Sequence, residues 1–183
     1  MPGSYFVTVC THGRECTLGE IVDGKCVLSD VGEMVELVWR AVPDHYSGVL
    51  ADSFVVMPNH VHGIIVLTDT VVGATPCGRP DERRNQLDPG QARGPAPTIG
   101  NPRLSLSDVV HRIKSLTTTR YRERVHNGEW SSFRGRFWQR GFHDHIIRNE
   151  HELHAYREYI KNNPMKWDMD YENPVNTGDG ATI

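Results

Sequence analysis

Residues 57–67, MPNHVHGIIVL, decide the fold. The second half is an unbroken apolar run, as expected of a strand over 60–67 buried on both faces at the centre of a sheet. Met57-Pro58-Asn59 supply the turn before it. His60 and His62 are two residues apart on that strand, so both imidazoles leave the same face, roughly 7 Å apart along the backbone. Val61 points the other way, into the core. Two neutral imidazoles suit a transition or borderline cation, and an added carboxamide or carboxylate would complete a site for Mg²⁺ or Mn²⁺. Taken alone, such a pair is more often explained by surface or hydrogen-bonded core histidines.

Outward from this strand, residues 48–56 read as its partner and 4–10, SYFVTVC, as an alternating strand rich in β-formers. Residues 18–28 form a hairpin with Asp23-Gly24 as the turn signal. Ser29 or Asp30 caps a helix over about 31–42, where Val31, Met34, Val35, Val38, Trp39 and Val42 share a face and Pro43 lies at the end. Downstream, eleven of the thirty residues 73–102 are Gly or Pro, which reads as a linker or mobile insertion. Helical order resumes with a cap at Ser105 or Ser107 and an inward stripe of Leu106, Val109, Val110, Ile113, Leu116 and Tyr121. Its opposite face offers His111, Arg112, Ser115, Thr118, Thr119 and Arg122. Residues 136–148 suggest one or two short strands. Asn149 caps a last helix over about 150–163, stopped by Pro164.

This order contains too few β-α crossovers for a doubly wound sheet. It predicts an α+β fold: an antiparallel sheet with helices packed on one face. One domain over 1–170 and a frayed tail over 171–183 complete the expectation.

Composition narrows the class. The chain has 183 residues, 38% hydrophobic and 23% charged, as in a soluble cytoplasmic protein, and no apolar run long enough to span a membrane. Nor does it open on a secretory signal. Cys10, Cys16, Cys26 and Cys77 have no CxxC spacing and read as reduced thiols. The net charge of −3 hides a segregation: residues 103–148 hold ten Lys and Arg against four acids, a local +6 that leaves −9 for the rest. A basic face on an acidic body suits phosphate binding; the alternative is a solvated, salt-bridged helix.

The last helix, HELHAYREYIKNNP, places Tyr159 and Asn163 one turn apart on one face. If that face packs over the histidines, Asn163 offers a carbonyl oxygen as third ligand and Tyr159 lies beside it. The i+4 partner of Tyr156 is only Ile160. The bland alternative for Tyr159 is a core aromatic with its hydroxyl at the surface.

MPNHVHGIIV, followed far downstream by FWQRGFHDHIIRNEHELHAYREYIKNNP, resembles the REP-associated tyrosine transposases, a branch of the HUH single-tyrosine transposases. The resemblance spans roughly 4–167 apart from the insertion. It implies a ferredoxin-like sandwich, with His60, His62 and Asn163 holding Mg²⁺ or Mn²⁺. It further implies Tyr159 as a nucleophile that forms a 5′-phosphotyrosine link to single-stranded or hairpin DNA, including REP-like palindromes. Arg112, Lys114, Arg120, Arg122 and Arg140 are the candidate phosphate contacts, and Trp138 a candidate base stacker alongside its reading as core. His143 and His145 repeat the HxH spacing and are assigned to DNA in preference to a second metal. A monomer and a homodimer with exchanged helices both fit the sequence. The rivals are a non-catalytic hairpin-binding descendant and an RNA-processing metalloprotein.

Overall fold

A computed structural model describes residues 2–69 and 104–177. The strand read over 60–67 is β5, His60–Leu67. With β1 (Gly3–Cys10), β4 (Val49–Val56) and β6 (His143–Ile147) it forms an antiparallel sheet in the order β4-β5-β1-β6. A separate hairpin joins β2 (Gly19–Val22) to β3 (Lys25–Leu28). Its turn residues Asp23 and Gly24 both have positive φ, 50° and 71°, which the Asp-Gly pair tolerates. The α+β, antiparallel expectation is borne out.

Helix α1 (Asp30–His45) starts at Ser29, whose hydroxyl accepts from the Gly32 amide at 3.1 Å. It runs past Pro43, expected at its end, and carries that residue inside the last turn. Helix α2 (Leu106–His126) is capped by Ser105 in a reciprocal pair with Asp108, and α3 (Glu150–Asn162) by Asn149. Among the described residues no helix is long and apolar enough to cross a membrane. The expected insertion at 73–102 lies outside the described residues.

Helices do not all take one face, as the sequence led us to expect. Val7 and Val9 of β1 and Val61 and Ile65 of β5 pack with Val35 and Trp39 of α1 and Val109 and Ile113 of α2. Residues of the other parity, Phe6 and Ile64, pack instead with Ile160 and Leu153 of α3. Thus α3 lies across the opposite face, the face that carries both histidines. The difference follows from β5 being apolar on both sides, so each side needs a cover.

Two backbone features fix the layers. A bulge in β4 between Ala51 and Phe54 inserts one residue, so that Val49 and Ala51 before it and Phe54 and Val56 after it share the α1 side. At Gly63 a Cβ would run into the Trp39 ring. Gly63→Ala is therefore expected to cost about 1–3 kcal/mol, read as a lower urea midpoint with unchanged slope.

The expected fraying from 171 does not describe residues 171–177. Asp170, Glu172 and Asn173 are buried, and a short helix, α4, covers Pro174–Thr177. Arg14 donates to Glu172 at 2.9 Å and Asn59 Nδ2 to the Glu172 carbonyl at 2.7 Å. Those polar partners hold down a segment without apolar periodicity. Residues 178–183 lie outside the described residues.

Candidate active site

β5 and α3 bring the sequence-selected residues together. His60 and His62 project from the α3 face with ring centroids 4.3 Å apart. One potential ligand atom each from His60, His62 and Asp170 lie within 4.8 Å of one another, all three residues buried. Asn163, at the C-terminal end of α3, is 2% exposed and its Nδ2 donates to Asp170 Oδ2 at 3.1 Å. Its Oδ1 has no hydrogen-bond partner, and neither does His60 Nε2.

Two buried polar atoms without partners are costly unless something polar or cationic faces them. Two imidazoles, a carboxylate and a carboxamide oxygen form a mixed N/O donor set that suits a divalent cation such as Mg²⁺ or Mn²⁺. The residues present fit such an ion. His60 Nδ1 lies 2.8 Å from Asn59 Oδ1 and His62 Nδ1 2.8 Å from Thr8 Oγ1, so each ring is anchored on the side away from the cluster.

Burial, with Arg14 adding to it, pulls the His60 pKa down to about 3. Burial and then His60 hold His62 well below its usual range. Both are neutral near pH 7, so the 4.0 Å approach of His60 Nε2 to Asp170 Oδ2 is not an ion pair, and a cation between them would meet both atoms.

Tyr159 stands at the rim. Its hydroxyl is 3.4 Å from His62 Nε2 and its ring meets His62 edge-on at 5.3 Å. Burial and then Asp170 push its pKa up. Three contacts hold it: Phe6 meets the ring edge-on at 5.8 Å, Ile160 anchors α3 in the sheet face, and Arg157 makes a two-pronged pair with Asp52 at 2.9 and 2.6 Å. Asp52 lies in the β4 bulge, so the irregularity that turns the strand also ties down the helix bearing Tyr159.

Asp170 was missed in the sequence, where it is the last residue before the tail read as frayed. Its only signal was seven-residue proximity to Asn163. Asn59 was read merely as a turn residue.

The DNA-facing candidates divide. Lys114 is buried, with Nζ bonded to the carbonyls of Gln139 at 2.9 Å and Gly141 at 2.5 Å. Trp138 is buried and donates Nε1 to Thr117 Oγ1 at 2.8 Å. Lys114 ties the 139–141 segment to α2 and Trp138 packs in the core, the alternative left open for it, while both also border the groove that Arg122 and Arg140 line. Arg112 lies over the Tyr46 ring at 4.8 Å, and Arg120 lines a depression with Asp30, Glu33, Glu123 and Glu129. Arg122 and Arg140 line a groove with His111 and Arg136. His143 is exposed on the edge strand, while His145 faces Glu152 at 3.7 Å. Arg122, Arg140 and Arg136, the last not selected from sequence, form the cationic wall.

A mixed sheet-and-helix sandwich carrying a histidine pair, an amide, an acid and a tyrosine defines a class of protein, and the comparisons identify it. Residues 99–163 match the family described as "Transposase IS200 like". The chain belongs to the IS200-like transposases, as the resemblance of its motifs implies. An uncharacterized protein of Haemophilus influenzae is 36% identical over 168 residues, spanning 92% of this chain and 83% of that one. A REP-associated tyrosine transposase solved bound to a REP hairpin shares the fold, with a TM-score of 0.53 at 19% identity over 100% of this chain and 87% of the other.

Proposed function

We propose that this transposase cuts and rejoins single-stranded DNA beside hairpins through a 5′-phosphotyrosine link on Tyr159, with Mg²⁺ or Mn²⁺ held by His60, His62, Asp170 and Asn163. The observation that carries the reading is the Tyr159 hydroxyl 3.4 Å from His62 Nε2, at the rim of a cluster with two unpartnered polar atoms. A cation bound there would neutralise charge building on the scissile phosphate.

The protein's own part is nucleophile and placement. Tyr159 Oη attacks phosphorus, the bond to the 3′ oxygen breaks, and that oxygen takes up a proton to leave as a 3′-hydroxyl. The phosphodiester's energy stays in the tyrosine ester, so a 3′-hydroxyl on another end can reverse the step without a nucleotide cofactor. His62 Nε2 cannot both coordinate and accept the phenol proton. That proton leaves on the open side, where Tyr159 is 41% exposed. The hairpin preference is supported by the REP hairpin held by the solved transposase of like fold. We place the reaction in the cytoplasm.

The test is to incubate hairpin-flanked single strands with the protein and Mn²⁺ and run a denaturing gel. A covalent adduct, lost with EDTA, is expected. Binding without any adduct would replace this reading with that of a non-catalytic hairpin binder. Preference for RNA of the same sequence would point to RNA processing.

The corrected groove makes its own prediction. Arg122→Ala, Arg136→Ala and Arg140→Ala should each flatten the slope of log affinity against log salt by about 0.7 for a single strand. Lys114→Met should leave that slope alone and lower thermal stability, because its ammonium bonds carbonyls instead of phosphates.

A further inference from the structure

The chain surrounds Asn59 with more order than a turn residue needs. It is fully buried. Its Nδ2 donates to two backbone carbonyls, Arg14 at 3.1 Å and Glu172 at 2.7 Å. Both amide hydrogens are thereby used, and the amide cannot be flipped without turning its oxygen onto two other oxygens. Asn59 Oδ1 is left facing one group, His60 Nδ1, at 2.8 Å.

We propose that Asn59 is a positioning residue that locks His60 in the Nδ1–H tautomer, keeping the Nε2 lone pair aimed into the His62–Asp170–Asn163 cluster. An acceptor of fixed orientation requires a proton on Nδ1. A neutral imidazole has only one, so Nε2 must be bare. That accounts for the partnerless Nε2 in a buried position. The lock draws on three separate stretches of chain. Arg14 lies in the turn after β1, Asn59 before β5, and Glu172 in the segment that also brings Asp170. The Arg14–Glu172 pair, at 2.9 Å, holds the two carbonyl-bearing stretches together around the amide. The backbone of Asn59 is pinned as well, its carbonyl accepting from the Thr11 amide at 2.8 Å and the Thr11 hydroxyl at 3.0 Å.

Only the consequence for affinity rests on the metal reading above; the tautomer itself does not. The experiment is long-range ¹H–¹⁵N NMR on metal-free protein at pH 8, without DNA. Wild-type His60 should show a protonated Nδ1 and an unprotonated Nε2. The opposite assignment in the wild type would overturn the proposal whether or not any variant folds. Asn59→Ala should give a mixture of tautomers and weaken Mn²⁺ binding by about 10–100-fold in calorimetry. Asn59→Asp keeps an acceptor opposite Nδ1 and should restore the single tautomer, despite lower stability from its second oxygen facing two carbonyls. A merely structural role would move stability in both variants and the tautomer in neither, and that outcome also overturns the proposal. Failure of the adduct assay alone would leave the NMR result standing.

Discussion

Tyr159→Phe is expected to abolish the covalent DNA adduct and lower strand cleavage by at least about 10³-fold, while fold and Mn²⁺ binding persist. The hydroxyl makes only a long 3.4 Å approach to His62 Nε2 and a hydrogen-bonding approach to the Asn163 side chain. Removing a half-exposed group with only these contacts costs on the order of 1 kcal/mol or less. The ring keeps its edge-on contacts with Phe6 and His62. Chemistry and stability therefore separate cleanly in this variant.

The control is Tyr156→Phe. Tyr156 stacks on Phe6 at 4.5 Å and leans on His145 at 5.4 Å, so its ring belongs to the packing between β1 and α3. It should keep forming the adduct. If Tyr159→Phe still yields adduct and Tyr156→Phe does not, the assignment of the nucleophile fails. Asp52→Ala offers a graded case. It unties Arg157 from the β4 bulge without touching the tyrosine, so cleavage should fall while the adduct still forms on Tyr159.

These contacts also explain what was legible beforehand. A period of two along β5 and a period near four along α3 are local properties, so HVHGIIVL and Tyr159-xxx-Asn163 could be read directly. The caps at Ser29, Ser105 and Asn149 were readable for the same reason, since each bonds only three residues ahead. Which face α3 covers was not local. It buries a single residue fully, Ile160, and its docking depends on a bulge whose effect appears only in the strand register. Asp170 was invisible because nothing periodic marks a segment held by Arg14 and Asn59 more than a hundred residues away. The burial of Lys114 was not legible either, since charge alone suggests exposure. Backbone carbonyls at the end of an irregular segment can satisfy a buried ammonium as well as water does. The histidine pair was legible in the sequence, but the amide beside it, fixed by two carbonyls, exists only in three dimensions.

The second large effect concerns the cluster with and without an added divalent cation. Mn²⁺ at a hundredfold excess over its dissociation constant should stabilise the fold by about 2.7 kcal/mol. For a domain this size that amounts to roughly 5–10 °C in Tm. His60→Ala, His62→Ala or Asp170→Ala should each remove most of the shift. An undiminished shift in the His60→Ala/His62→Ala double variant would mean that the ion binds elsewhere. Acid gives an independent view of the same site. The His60 pKa falls from 6.5 to about 3 on folding, so between those values the unfolded chain binds a proton that the native chain refuses. Stability therefore declines as pH drops through that window, by up to about 1.4 kcal/mol per pH unit for one such histidine. It is unaffected by this residue above pH 6.5. His62, depressed in the same direction, steepens the fall. Metal-free wild type should lose Tm sharply below pH 6, and His60→Ala, though less stable at neutral pH, should lose it with a shallower slope. Equal slopes would show that His60 is not buried and neutral, and the lone pair on which the metal site depends would no longer be secured.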